Sequence, residues 1–429
     1  MPIRLNRDAL PAVCPNMAVN LDALRPGFTD DPYAVLKSLR DAGPVHRVET
    51  LGVPMWLVTR YPDVRAALDN PLLSSHGSAL AEPLRGHPHF ASWWFGDLSD
   101  HMMNSDEPNH TRLRRAVSSQ LTPRRIAALR PRIEQVAASL ADGFADAGRC
   151  DLIADFAAPL PITVIMELLG VPAVDQENFR YWADVVTGLA DGDAASAREE
   201  TSGYLRDLVT HKRTSGDDDL IGGLARATGE TALTDDELAS LAFLLLVAGY
   251  TTAVDLVGNG ALALLRDPEQ LELLQRSSSL LPGAIEEFLR FDGPTSHVVR
   301  FATKPLTIGG VQIPAGDVVL LSLASAEHDP NRYPRADQLN IERADRQHLA
   351  FGHGIHFCLG APLARLEGEI AFRTLLGRCA GLALDTSQPL GWRVSLGSRG
   401  LRALPVTFLA KPKMPLDEQA TIKVAKPTM

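Results

Sequence analysis

The residues best suited to chemistry gather in one stretch, Phe351-Gly352-His353-Gly354-Ile355-His356-Phe357-Cys358-Leu359-Gly360. Apolar residues three and four apart follow it, from Ala361 through Leu363, Leu366 and Ile370 to Leu376, which predicts a helix. Cys358 therefore sits on a glycine-rich loop at a helix N-terminus, where the dipole and free N–H groups favour a thiolate over a thiol. The glycines let backbone N–H groups turn toward the sulfur, and Phe351 and Phe357 are expected to keep water from it. A lone thiolate in a dry loop suits axial ligation of haem iron. Two other readings compete. One is an inert buried cysteine, but burial alone does not need the glycines. The other is a zinc site with His353 and His356, but no second ligand pair stands elsewhere to complete a tetrahedron.

Three further constellations need positioning. His110 and Arg114, four apart, share a helix face and suit a grip on carboxylates, although a solvated basic face gives the same pattern. Their helix is expected to start at Asp106-Glu107-Pro108-Asn109, with Asp106 as cap and Pro108 in the first turn. Glu287 and Arg290 stand three apart on a helix. Such pairs are commonly weak surface bridges, but Phe288, Leu289 and Phe291 around this one imply burial. The third is Ala248-Gly249-Tyr250-Thr251-Thr252, inside the apolar run Leu241 to Leu265. Thr234 and Glu237 form a capping box ahead of it. A helix apolar on nearly all faces is a membrane span or the core of a large protein. Asp255, Asn259, Gly249, Gly258 and Gly260 favour the core, because a charge at the bilayer centre is costly.

The chain around these sites is mainly helical. Its 429 residues are 45% hydrophobic and 22% charged, ordinary for a large soluble protein. A net charge of −10 argues against nucleic-acid binding. Cys14, Cys150, Cys358 and Cys379 lack pairing spacings, which fits a reducing, cytoplasmic setting. No secretory signal or membrane anchor is evident near Met1. A helix is expected near Asp31–Ala42, then a hairpin with arms Val45–Val48 and Met55–Val58. Pro71 to Met103 is long and irregular, with Phe90, Trp93, Trp94 and Phe95; loops of this length are commonly functional. Leu152–Ala158 and Ile162–Leu169 are apolar segments, and helices follow over Asp175–Leu189 and Arg198–Lys212. Short strands are expected at Leu306–Ile308, Val311–Ile313 and Val318–Ser322, and a last hairpin over Gly391–Pro405. Residues 1–24 form an N-terminal segment, 25–410 the main domain, and 411–429 a polar tail expected to be disordered.

The pattern F-G-x-G-x-H-x-C-L-G, carried by Phe351, Gly352, Gly354, His356, Cys358 and Gly360, resembles the haem-ligand signature of the cytochrome P450 family. Ala248-Gly249-Tyr250-Thr251-Thr252 is similar to its oxygen-activation motif, and Glu287 with Arg290 to its buried Glu–Arg pair. The resemblance covers about residues 25–410. It implies a soluble, bacterial-type fold, mainly α with small β regions: one triangular helix-rich domain holding haem b between the central helix and the Cys358 loop. It also implies that His110, Arg114, Arg300 and His356 contact the haem propionates, and that Ala248 and Gly249 are small to admit the flat macrocycle. Thr252 would hydrogen-bond dioxygen. Trp93, Trp94, Leu245, Val298, Val299 and Leu396 would lie near the substrate.

One position departs from the family. Thr251 stands where an acid is usual, which puts the proton path in doubt; Asp255, one turn on, is a candidate substitute. The implied activity is oxidation of a small organic substrate, of secondary-metabolite type, with O2. Electrons would come from a ferredoxin and an NAD(P)H-dependent ferredoxin reductase, with Arg112, Arg115 and Arg365 as a basic docking face. Radical coupling of an aromatic substrate is the alternative reaction, and a non-catalytic haem protein the alternative of another class.

Overall fold

The computed structural model describes residues 19–21, 31–80, 85, 87, 96–393 and 396–411. Trp93, Trp94 and residues 412–429 lie outside that set. The longest element is the central helix, Asp235–Arg266. Its N-terminus carries the reciprocal cap read from the sequence: Thr234 Oγ1 accepts from the Glu237 N–H at 3.1 Å, and Glu237 accepts from the Thr234 N–H at 3.0 Å. Asp235, Asp236 and Glu237 also oppose the positive end of the helix dipole. The helix is long and apolar enough to cross a membrane, yet 72% of its apolar window is buried inside the protein. Leu238, Leu241, Phe243 and Leu246 are fully buried there, each contributing roughly 1.5–3 kcal/mol.

The neighbours of the central helix are the helices Pro159–Leu169, Ala194–Ser215, Leu281–Asp292 and Ala361–Arg378. Small residues decide how near they come. A Cβ at Gly260 would meet Phe288 and Phe372 at 2.9 Å, and one at Gly249 would meet Ile165 Cδ1 at 2.7 Å. Gly249 is thus required to be small by helix packing. The segment before Pro159–Leu169 is a wide π-turn, Ile153–Ala157, and runs straight into it. Pro159 and Pro161 stand in the first turn, where their missing N–H groups cost nothing.

The strands are β1 (Val19–Asn20), β2 (Val45–Thr50), β3 (Val53–Val58), β4 (Leu73–Ser74), β5 (Arg149–Asp151), β6 (His297–Ala302), β7 (Leu306–Ile308), β8 (Val311–Ile313), β9 (Val318–Ser322), β10 (Cys379–Leu384) and β11 (Pro405–Ala410). The main sheet has the order β1-β2-β3-β9-β6-β4. The hairpin arms are longer than expected and joined by two residues, Leu51 (φ 57°) and Gly52 (φ 71°). Positive φ at both matches the twist of the flanking strands. Over 391–405 the described residues pair as a minimal hairpin: the Arg393 N–H donates to the Gly400 carbonyl at 2.9 Å and Arg402 to Gly391 at 2.8 Å, around the Trp392–Leu401 bridge. The last full ladder is β10-β11-β5.

Candidate functional site

The cysteine loop closes on itself through backbone bonds. The Cys358 N–H donates to the Phe351 carbonyl at 2.8 Å, Gly352 to Leu349 at 2.7 Å, and Phe357 to Gly354 at 3.1 Å. Gly352 and Gly354 take left-handed φ values of 74° and 70°, which glycine alone adopts freely. A Cβ on Gly354 would also lie 2.5 Å from Asp69 Oδ1. The N–H groups of Gly360 and Ala361 point at Sγ, and Arg114 and Arg365 place positive charge near it. Burial outweighs them and pushes the Cys358 thiol up. The helix terminus thus favours the thiolate, as expected, but does not outweigh burial; a bound metal ion would, since coordination deprotonates a thiol. Phe351 is buried, while Phe357 is 41% exposed and meets the Phe351 ring edge-on, centroids 6.3 Å apart, so the shielding falls mainly to Phe351. Among the described residues no three His, Cys, Asp or Glu side chains converge as metal ligands, so the zinc reading fails.

Behind the loop the structure gathers His110, Arg114, Arg300 and His356. The His110 and His356 rings lie 4.4 Å apart, His356 Nε2 is 3.0 Å from Ser75 Oγ, and Arg114 donates to the Phe357 carbonyl at 2.7 Å. Buried Arg300 donates to the Val299 carbonyl at 2.9 Å. Burial and then the charges of Arg300, His110 and Arg114 hold His356 down at about 3, and burial holds Arg300 at about 10. His110 is lowered by burial and by Arg114, and its Nδ1 is buried without a partner. Among the described residues neither Arg114 nor Arg300 has a carboxylate at ion-pair distance. The nearest acid, Asp106, caps no helix as expected. It accepts from the Ser75 N–H at 2.9 Å and from Ser74 Oγ, and the helix begins at Asn109. One buried and one half-buried guanidinium without a carboxylate at ion-pair distance, beside an orphan imidazole nitrogen, fit a ligand that brings anionic groups, as the two propionates of haem would.

The central helix is buried almost all round, yet Leu245, Ala248, Gly249 and Thr252 are half-open. Their spacing puts them on one stripe, so a hollow runs beside the middle of the helix. Thr252 Oγ1 donates to the Ala248 carbonyl at 2.6 Å, and buried Thr251 to the Val247 carbonyl at 3.1 Å. Asp255 lies on the flank of Thr251, not on the open stripe. It is fully buried and paired with Arg393, whose Nη1 donates to the Thr187 carbonyl at 3.3 Å. Burial pushes its carboxyl up to about 7 against the pull of Arg393. Its Oδ2 has no partner, and a Cβ on Gly400 would collide with the pair. Val298 and Val299 cannot both face the hollow. They point to opposite sides of β6, Val298 to the cluster that includes Val45 and Val58, Val299 to the one that includes Leu57 and Phe301.

Glu287 and Arg290 form a bidentate pair at 2.8 Å, buried on both sides. Arg343 joins through Nε at 2.9 Å, and Arg290 also donates to the carbonyls of Glu327 and Ala336. Sequence reasoning missed Arg343, since no spacing links it to the pair. It also missed Glu367, a buried carboxyl pushed up to about 8 by burial, with Oε1 unpartnered. A charged residue on the core face of an amphipathic helix was the available signal. Arg112, Arg115 and Arg365 do not form a free basic face. They pair with Glu237, Glu230 and Glu286.

Residues 162–390 match the sequence profile described as Cytochrome P450. The chain is 45% identical over 398 residues to cytochrome P450 monooxygenase PikC of Streptomyces venezuelae, covering 91% of this chain and 94% of the relative. It superposes on PksS, the cytochrome P450 of the Bacillus subtilis bacillaene polyketide synthase, with a TM-score of 0.82 at 37% identity, covering 89% of this chain and 98% of that one. Against CxnD, a cytochrome P450 for C–S bond formation in chuangxinmycin biosynthesis, the TM-score is 0.83 at 36% identity, with 92% and 99% covered. A likeness this long, on a fold with this cysteine loop at its centre, shows that the chain belongs to the cytochrome P450 family of haem-thiolate monooxygenases.

Proposed function

We propose that this chain inserts oxygen into a secondary-metabolite intermediate of polyketide type, with Cys358 as the thiolate that would hold the haem. The observation that carries this reading is Arg114 and Arg300 without a carboxylate at ion-pair distance among the described residues, set with His110 and His356 beside the cysteine loop. Haem supplies the dioxygen chemistry when bound, its iron made electron-rich by a thiolate. His110, Arg114, Arg300 and His356 hold the propionates by charge-assisted bonds. Phe351 and the closed backbone of residues 349–358 keep the sulfur in place. Thr252, on the open stripe, frees its hydroxyl from Ala248 by a χ1 rotation and orients a proton toward the hollow. Leu245 and Leu396 bound the substrate side. Support for the substrate class comes from PksS, whose name ties it to a polyketide synthase.

Electrons reach such an enzyme from a redox partner, here a ferredoxin with its NAD(P)H-dependent reductase, in the cytoplasm. Of the three arginines considered for docking, only Arg115 sits in a fully exposed pair, with Glu230 at 3.1 Å. Such a pair is worth roughly 0–1 kcal/mol and is readily exchanged for an acidic partner. A carbon monoxide difference spectrum of the reduced protein tests the ligand. The thiolate-type red-shifted band is expected, and its absence ends the reading. Titration with polyketide intermediates should then shift the iron spin state.

A second reaction, bond formation between substrate radicals, is favoured by one observation. Thr251 turns its hydroxyl back to the Val247 carbonyl, so the usual acid is missing and nothing at that position stores a proton. Coupling needs less proton input than hydroxylation, and CxnD is a relative named for bond formation.

A further inference from the structure

The cysteine loop is braced by a second set of contacts that adjoins the Glu287 cluster, with which it lines one cavity. Glu286 accepts two bonds from Arg365, from Nε at 2.7 Å and Nη2 at 2.8 Å. It accepts a third from His348 Nε2 at 3.0 Å. His348 Nδ1 is itself an acceptor, from the Ala350 N–H at 3.2 Å, so the ring proton is on Nε2. The Arg365 guanidinium lies over the Phe351 ring, 4.6 Å from its centre. Phe351 holds the Cys358 N–H. Two cations act on Sγ: Arg114, already drawn to the Phe357 carbonyl, and Arg365. Arg365 is therefore locked between a carboxylate, an aromatic face and the sulfur's field, which is not how a docking side chain is held.

We propose that Glu286 is a positioning residue for the haem thiolate: it clamps Arg365 over Phe351 and offsets its charge, so that the pair sets how strongly Cys358 donates to iron. This rests on Cys358 being the ligand. A positive charge near the sulfur stabilises its electrons and weakens donation, which raises the reduction potential of the iron. A carboxylate on that cation cancels part of the effect.

The test is the midpoint potential of the haem-loaded enzyme, measured on the fraction that shows the thiolate-type carbon monoxide band. Glu286→Gln should shift the potential upward, Arg365→Gln downward. Arg365→Lys should keep the potential near the parent value while lowering the share of thiolate-ligated haem, because lysine keeps the charge but loses the fork and the stacking. Glu286→Asp, which retains the charge, is the control that should leave the potential unchanged, and Arg365→Gln alone carries the test if Glu286→Gln does not load haem. Shifts of the same sign in the two Gln variants, or unchanged potentials with only less bound haem, overturn the proposal in favour of a purely structural brace. Failure of the underlying reading is separate: the parent enzyme would then lack the thiolate-type band.

Discussion

The two sides of the haem site are built on different scales. On the cysteine side, ligand, turn glycines and shielding Phe351 fall within Phe351–Gly360, and the Glu286–Arg365 pair braces them through Phe351. On the central-helix side the open stripe holds Thr252, while the nearest acid, Asp255, is turned away to Arg393. The first side makes one bond to one metal, so a fixed local frame serves it. The second must meet a particular substrate and its protons, so its polar groups can shift along the helix while the fold stays. Electronics are thus set by a rigid loop and selectivity by replaceable side chains.

The hardest way to break this contrast is Cys358→Ala. It should abolish the thiolate-type carbon monoxide band while Arg114 and Arg300, with His110 and His356, still retain some haem; a persisting band would remove Cys358 from its role. Next comes Glu287→Ala, which strands Arg290, 2% exposed, without its partner. Breaking such a pair costs about 3–5 kcal/mol, measured by urea unfolding of the loaded enzyme. Glu230→Ala, at the exposed Arg115 pair, should cost no more than roughly 1 kcal/mol. Arg300→Gln should weaken haem retention roughly tenfold to a hundredfold, the worth of a charge-assisted bond of about 1.5–3 kcal/mol. Haem transfer to an acceptor protein reads this out.

Glu367 sharpens the contrast through pH. Its folded pKa of about 8 lies above the unfolded value of about 4.3, so the folded state binds the extra proton between them. Its stabilising contribution is complete below about pH 4 and is lost as pH rises through 8, with a slope of at most about 1.4 kcal/mol per pH unit. Glu367→Gln should flatten the decline in unfolding free energy from pH 5 to 8; an unchanged slope would assign it elsewhere. The smallest effect is expected at the oxygen motif. Thr251→Asp should raise, and Thr252→Ala lower, the product formed per reductant consumed. No change in either would remove both residues from the proton path.

Much of this was legible in the chain itself. Helix periodicity, the Thr234–Glu237 cap, the three strands from Leu306 to Ser322 and the cysteine loop are local patterns, decided by residues within a few positions of one another. The misplacements share a cause. Asp106 reads as a helix cap but bonds Ser74 and Ser75, and Arg365 reads as a free docking cation but pairs with Glu286. In each case the partner comes from another element, and sequence spacing carries no information on it.

By itself, then, the sequence determined the ligand loop, the buried Glu287–Arg290 pair and the central helix, because each is written in short-range spacing. Only the tertiary structure decided that His110, Arg114, Arg300 and His356 lie together with no carboxylate among the described residues paired to either arginine. It also joined Arg343 to Glu287, gave Asp255 to Arg393 and bound Arg365 to Glu286. Charges pair by distance in space, and folding sets that distance by packing elements far apart in the chain.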